Sequence, residues 1–105
     1  MPKSKKHVTE VKITSGKAAC KVSSEFVVAK AGDRIMFRNQ TGGKVHIHVS
    51  DDRLFKRPMF TVPPGHQETQ VVRKTPRGIY PYAVFCEHSK RFCTGSSMPI
   101  IIVPR

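Results

Sequence analysis

The chain has 105 residues, 38% of them apolar, and its 19 Lys and Arg against seven Asp and Glu give a formal charge of +12. That length supports one modest core and not two, and no apolar run approaches the roughly 18 residues of a membrane span. The opening Met1-Pro2-Lys3-Ser4-Lys5-Lys6-His7 is basic but leads into no apolar stretch, so it does not read as a signal peptide.

The first six residues are expected to be a basic, flexible terminus ahead of a single domain over 7–105. From Val8 to Thr14 residues alternate in the manner of a strand, and Ser15-Gly16 breaks the pattern. Ala18 to Val22 and Glu25 to Lys30 are short β-prone pieces separated by Ser23-Ser24. Ala31-Gly32-Asp33 signals a tight turn into Arg34 to Arg38, and Asn39-Gln40-Thr41-Gly42-Gly43 signals the next. Lys44 to Ser50 alternates again, with Val45, Ile47 and Val49 on one face and His46 and His48 on the other. If the histidine face points inward, two buried imidazoles need ligands or hydrogen bonds; if outward, they decorate the surface.

Asp51 to Pro64 reads as a long crossover with one helical turn near Arg53-Leu54-Phe55. Pro63-Pro64-Gly65 turns the chain into a strand over Gln67 to Arg73, and Thr75-Pro76-Arg77-Gly78 turns it into an aromatic strand ending near Cys86. After a polar loop, Pro99 opens a last strand, Ile100 to Val103. Seven or eight short strands with regular turns predict an all-β sandwich.

Soft ligand types gather late in the chain, at Cys86, His88, Cys93 and Met98. Three cysteines cannot all pair within one chain, which leaves metal or redox chemistry open. Cys20 is assigned to the core, as are Tyr80, Tyr82, Phe26 and Phe37, and a Cys86–Cys93 loop disulfide is sterically allowed. The charge serves either solubility or docking to an acidic protein, nucleic acid or an anionic membrane. The cations follow no DNA or RNA motif and lack aromatic interleaving, which disfavours nucleic acid.

In order, these features resemble a cupredoxin, the Greek-key sandwich of small copper proteins. Phe26 to Asn39 is similar to the family's strand, Lys-Ala-Gly-Asp turn, strand and Asn. His46 follows at the place of the first histidine ligand, Val62-Pro63-Pro64-Gly65 resembles the Pro-Gly turn, and Gly78-Ile79-Tyr80 to Cys86 resembles the strand that delivers the cysteine. The resemblance implies copper held by His46, Cys86, His88 and Met98, with His48 and Cys93 as substitutes. A thiolate and imidazoles near one plane, with a distant thioether, suit a copper that changes oxidation state with little rearrangement.

The chain departs from the pattern where Cys86-Glu87-His88 brings the loop histidine within two residues of the cysteine, and the count from Gly78 reaches Val84 instead. Two functions of different class therefore stand at this stage. One is a copper-binding protein in electron transfer or copper carriage. The other is a metal-free cupredoxin-like module docking through its basic surface to an acidic partner. A zinc site of His46, His48, Cys86 and Cys93 ranks lower. An enzyme ranks last, because no nucleophile, base and orienting group assemble from these motifs. The expected compartment is the cytoplasm, or the periplasm or another extracytoplasmic space if an export signal has been removed.

Overall fold

Residues 8–16, 19–24, 26–92 and 99–104 are described by the structure, a computed structural model. The basic terminus over 1–6, Cys93 and Met98 lie outside them. Ten strands form: β1 (Val8–Ser15), β2 (Cys20–Val22), β3 (Phe26–Val28), β4 (Arg34–Gln40), β5 (Val45–Val49), β6 (Met59–Val62), β7 (Gln67–Val71), β8 (Gly78–Cys86), β9 (Arg91–Phe92) and β10 (Ile100–Val103). One sheet has the order β2-β1-β4-β7. The other runs β3-β10-β8-β5-β6, with β9 paired to β8. The expected all-β sandwich is what forms.

Alternation explains the layers. In β1 and β4, Val11, Ile13, Ile35 and Phe37 are fully buried while Lys12 and Arg34 are exposed. In β5 and β8, Val45, Ile47, Val49, Tyr80, Tyr82 and Val84 face the same core from the opposite sheet. Phe37 lies at the centre, its ring 6.2 Å from Phe55, 5.5 Å from Phe60 and 5.7 Å from Tyr82. Edge-on and tilted contacts of this kind add to the burial of large apolar rings. The Tyr80 hydroxyl donates to the Pro76 carbonyl, locking the turn before β8 in the manner of a tyrosine corner.

Asn39 is buried inside this core and is fully hydrogen-bonded. Its amide donates to the Gly43 carbonyl at 2.7 Å and the Val62 carbonyl at 2.9 Å, and its Oδ1 accepts from the Thr41 N–H and hydroxyl. Val62 belongs to the other sheet, so one amide ties the layers together. Two of the predicted turns place a glycine in the left-handed region, Gly32 at φ 92° and Gly65 at φ 77°, backbone conformations that favour glycine.

Three local expectations change. The crossover contains β6, because Phe60 and Val62 reach the core between Pro58 and Pro63. Near Arg53 the chain makes a turn and not a helix: Asp51 accepts the Arg53 N–H on its carboxylate and the Leu54 N–H on its carbonyl. Phe26, assigned to the core, is 61% exposed, because Val27 takes the inward position of β3.

Candidate functional site

The expected copper ligands depend on which face each strand position occupies. β5 and β8 pair antiparallel with Val45 opposite Cys86, His46 opposite Phe85 and His48 opposite Ala83. Directly opposed residues share a face and neighbours along a strand alternate. Cys86 therefore points inward with Val45, fully buried, while His46 and His48 point outward. The two residues expected to anchor the metal lie on opposite sides of one sheet.

Each is also committed elsewhere. Cys86 is bonded to Cys20 across 66 residues, with the Cα atoms 6.4 Å apart. Because Cys20 lies in β2 and Cys86 in β8, the bond joins the two sheets. In this structure Cys86 is therefore a disulfide sulfur and not a free thiolate, Cys20 is a core residue bonded to it, and the sterically allowed Cys86–Cys93 bond is not the one that forms. Two strand cysteines with inward register are the signal that was there to be read, but the register is visible only once the sheets are paired.

His46 is held at both nitrogens. Its Nε2 lies 2.5 Å from Glu87 Oε2 and its Nδ1 2.8 Å from Thr61 Oγ1. With the proton on Nε2, the ring donates to the carboxylate and Nδ1 accepts the Thr61 hydroxyl, so no lone pair remains for a metal. Glu87 is held below the usual carboxylate range by this hydrogen bond, with Lys44 and Lys90 adding to the effect. Sequence reasoning missed Thr61 and Glu87, since Thr61 sits in β6, opposite His46.

His88 occupies the turn after β8, where Lys90 has φ 57°. It packs on Gly42-Gly43, and a Cβ on Gly43 would meet the His88 backbone nitrogen at 3.0 Å. His88 is exposed, and with Thr41 and Ser89 it lines a small cavity at the buried Cys20–Cys86 disulfide. Among the described residues, no three His, Cys, Asp or Glu side chains come together as a metal site. As the described residues stand, His46, Cys86 and His88 do not converge on one copper, and His46 and His48 of the zinc set lie across the sheet from Cys86. Cys93 and Met98 fall outside the described residues.

The structure instead gathers cations. A groove of about 650 Å³ runs along β7 and is lined by Lys56, Arg57, Glu68, Thr69, Val71 and Arg73. β7 is an edge strand. The groove's acid, Glu68, accepts a hydrogen bond from Gln70 at 3.0 Å. The outward positions of β1, β2 and β4 add Lys12, Lys21, Arg34 and Arg38, against Glu10, which is ion-paired to Arg38 at 2.9 Å. Lys56 and Arg57 come from the crossover and Arg73 follows β7, so their proximity is invisible in the linear pattern.

The fold is that of the cupredoxins. No protein-family profile matches the sequence, and the search of curated proteins finds no relative. Solved structures match at low identity. The purple cupredoxin of Nitrosopumilus maritimus is 15% identical, with 91% of this chain and 99% of that one covered and a TM-score of 0.58. Auracyanin B is 14% identical, with 100% and 94% covered and a TM-score of 0.62. A copper nitrite reductase of Nitrosomonas europaea is 13% identical with a TM-score of 0.61; all of this chain is covered but only 51% of the reductase. The chain thus spans about half the length of that enzyme. A small cupredoxin and a nitrite reductase share the fold, so the fold does not choose between a non-enzyme and an enzyme.

Proposed function

We propose that this chain is a non-enzymatic, cupredoxin-fold binding module that docks an acidic segment of a partner protein in the cationic groove along β7. The observation that carries this reading is the convergence of Lys56, Arg57 and Arg73 on one groove beside an edge strand. An extended acidic segment lying there meets three cations and a strand edge, a common mode of peptide recognition. The net charge of +12 would speed the encounter and make it salt-sensitive. A disulfide between the sheets suits an oxidising compartment.

The test is fluorescence anisotropy with a labelled oligoglutamate peptide. Binding should weaken steeply between low and physiological salt, and drop at least tenfold in Lys56→Glu/Arg57→Glu/Arg73→Glu. Equal binding by that variant overturns the assignment of the groove. Tighter binding to a duplex oligonucleotide than to the peptide overturns the partner class.

The likeness to copper proteins favours a second reading, electron transfer or copper carriage. It would require the disulfide to open and Cys86 to reach the face that carries His46. On the binding-module reading, one equivalent of Cu(II) added to the reduced protein gives no intense thiolate-to-copper band. A visible band that vanishes in Cys86→Ala would restore the copper reading.

A further inference from the structure

The outward face of the six-stranded sheet is largely apolar, although it faces solvent, with its polar groups gathered at His46, His48 and Thr61. Register places its side chains in rows: Val28, Ile102 and Ile79 form one, Phe26, Ile100 and Pro81 the next. Ala83, His48 and Met59 follow, and then Phe92, Phe85, His46 and Thr61. Phe26, Val28, Met59, Ile79 and Phe92 are each between 50% and 65% exposed. Phe92 stacks edge-on upon Phe85 at 5.2 Å, extending the face to the end of β8. Among the described residues of this sheet's strands, the one Lys, Arg, Asp or Glu is Arg91, exposed at the sheet's end with its register opposite Cys86, and Glu87 just past β8 meets the face at His46.

We propose that this face is the interface of a two-fold symmetric homodimer, in which the six-stranded sheets of two copies pack face to face. Area supports it. A large aromatic side chain offers about 150–250 Å², so these five side chains and their half-buried neighbours present roughly 500–700 Å², close to the about 800 Å² per partner of a standard stable interface. A solvent-exposed patch of that size lies at or above the top of the about 300–600 Å² that the largest patch of a typical monomer reaches.

The placement of charge selects a second copy over an anionic lipid surface. Lys12, Lys21, Arg34 and Arg38 lie on the outer face of the other sheet, so an embedded apolar face would turn them away from the headgroups. In a dimer they end up on the two outermost surfaces. With packed sheets about 10 Å apart, those surfaces are separated by about 30 Å, several times the roughly 8 Å screening length at physiological salt. Like-charged chains can then associate, and salt should strengthen the contact.

Sedimentation velocity over a range of concentrations, at low and high salt, tests this on the full chain. The wild type should sediment as a dimer that tightens with salt. Ile79→Lys and, independently, Met59→Lys should weaken it at least tenfold, with unchanged far-ultraviolet circular dichroism. Lys12→Glu/Arg34→Glu on the opposite sheet should remain dimeric.

A wild type that is monomeric at every concentration overturns the proposal. So does a dimer that survives both lysine substitutions, or one lost only in the Lys12/Arg34 variant. Binding of the monomer to phosphatidylglycerol vesicles through Ile79 would assign the face to lipid and overturn it too. The acidic-peptide assay reads the opposite sheet and responds to salt with the opposite sign, so each proposal fails separately.

Discussion

The two outer faces of this sandwich are built by the same alternation and end in opposite chemistry. On the four-stranded sheet the outward positions carry Lys12, Lys21, Arg34, Arg38 and Glu10 among Val8, Met36, Thr69 and Val71, so charge is spread across the face. On the six-stranded sheet β3 and β10 read Phe-Val-Val and Ile-Ile-Ile-Val, apolar on both sides. A strand that is apolar on both faces is the pattern of a sheet covered on both faces. The difference teaches that one face is finished by water, while the other is composed for contact. The core between them belongs to neither.

The most severe way to test that picture is to cut what ties the faces together. Cys20–Cys86 closes a 66-residue loop between the sheets, and loss of such a bond costs about 4 kcal/mol in the chain-entropy account. Urea unfolding of Cys20→Ser/Cys86→Ser should show that loss, with both faces failing together. A loss much below 1 kcal/mol would mean the sheets hold each other without the bond. Asn39→Ala should come next, at about 3 kcal/mol. It strands the Val62 carbonyl and the Thr41 N–H in the interior, and each buried orphan costs about 1–3 kcal/mol.

The faces themselves should then separate by substitution. Arg34→Glu and Ile79→Lys are both at exposed positions, where the stability of the folded chain moves by only about 0.5 kcal/mol. Their effects on association should diverge. Arg34→Glu lowers the encounter rate with acidic peptide at low salt and leaves self-association intact, and Ile79→Lys does the reverse. Stopped-flow binding and sedimentation distinguish them, and equal effects from both would erase the contrast between the faces.

How much of this was legible in the sequence follows from what each feature depends on. Strand alternation and the Gly32 and Gly65 turns are local, so the sandwich could be read from order and spacing. β6 was hidden because prolines at 58, 63 and 64 bracket a four-residue strand, which looks like loop. The ligand types were read in the expected order, but convergence is a matter of register. One pairing, His46 opposite Phe85, sends His46 and Cys86 to opposite sides of the sheet. Thr61 and Glu87 could be found only after β5 acquired its neighbours. Phe26 was misassigned because hydrophobicity marks a residue for burial without saying which partner buries it.

The smallest expected effect lies in the turn where the chain leaves β5, beside the apolar face. Asp51 accepts from the Arg53 side chain at 2.7 and 3.0 Å and from its N–H at 2.9 Å. Those hydrogen bonds lower its carboxyl from 3.8 to about 2. A carboxyl more acidic in the folded chain than in the unfolded one stabilises the fold above its unfolded value, and that contribution disappears as protonation sets in. Its share of stability is therefore complete above about pH 4 and is lost as the pH falls toward 2. Asp51→Asn should unfold more readily than the wild type at pH 6, and the difference should close between pH 4 and 2. Thermal unfolding followed at both ends of that range checks it. A difference that persists at pH 2 would mean that the carbonyl bond to Leu54, and not the carboxylate, holds the turn against the apolar sheet.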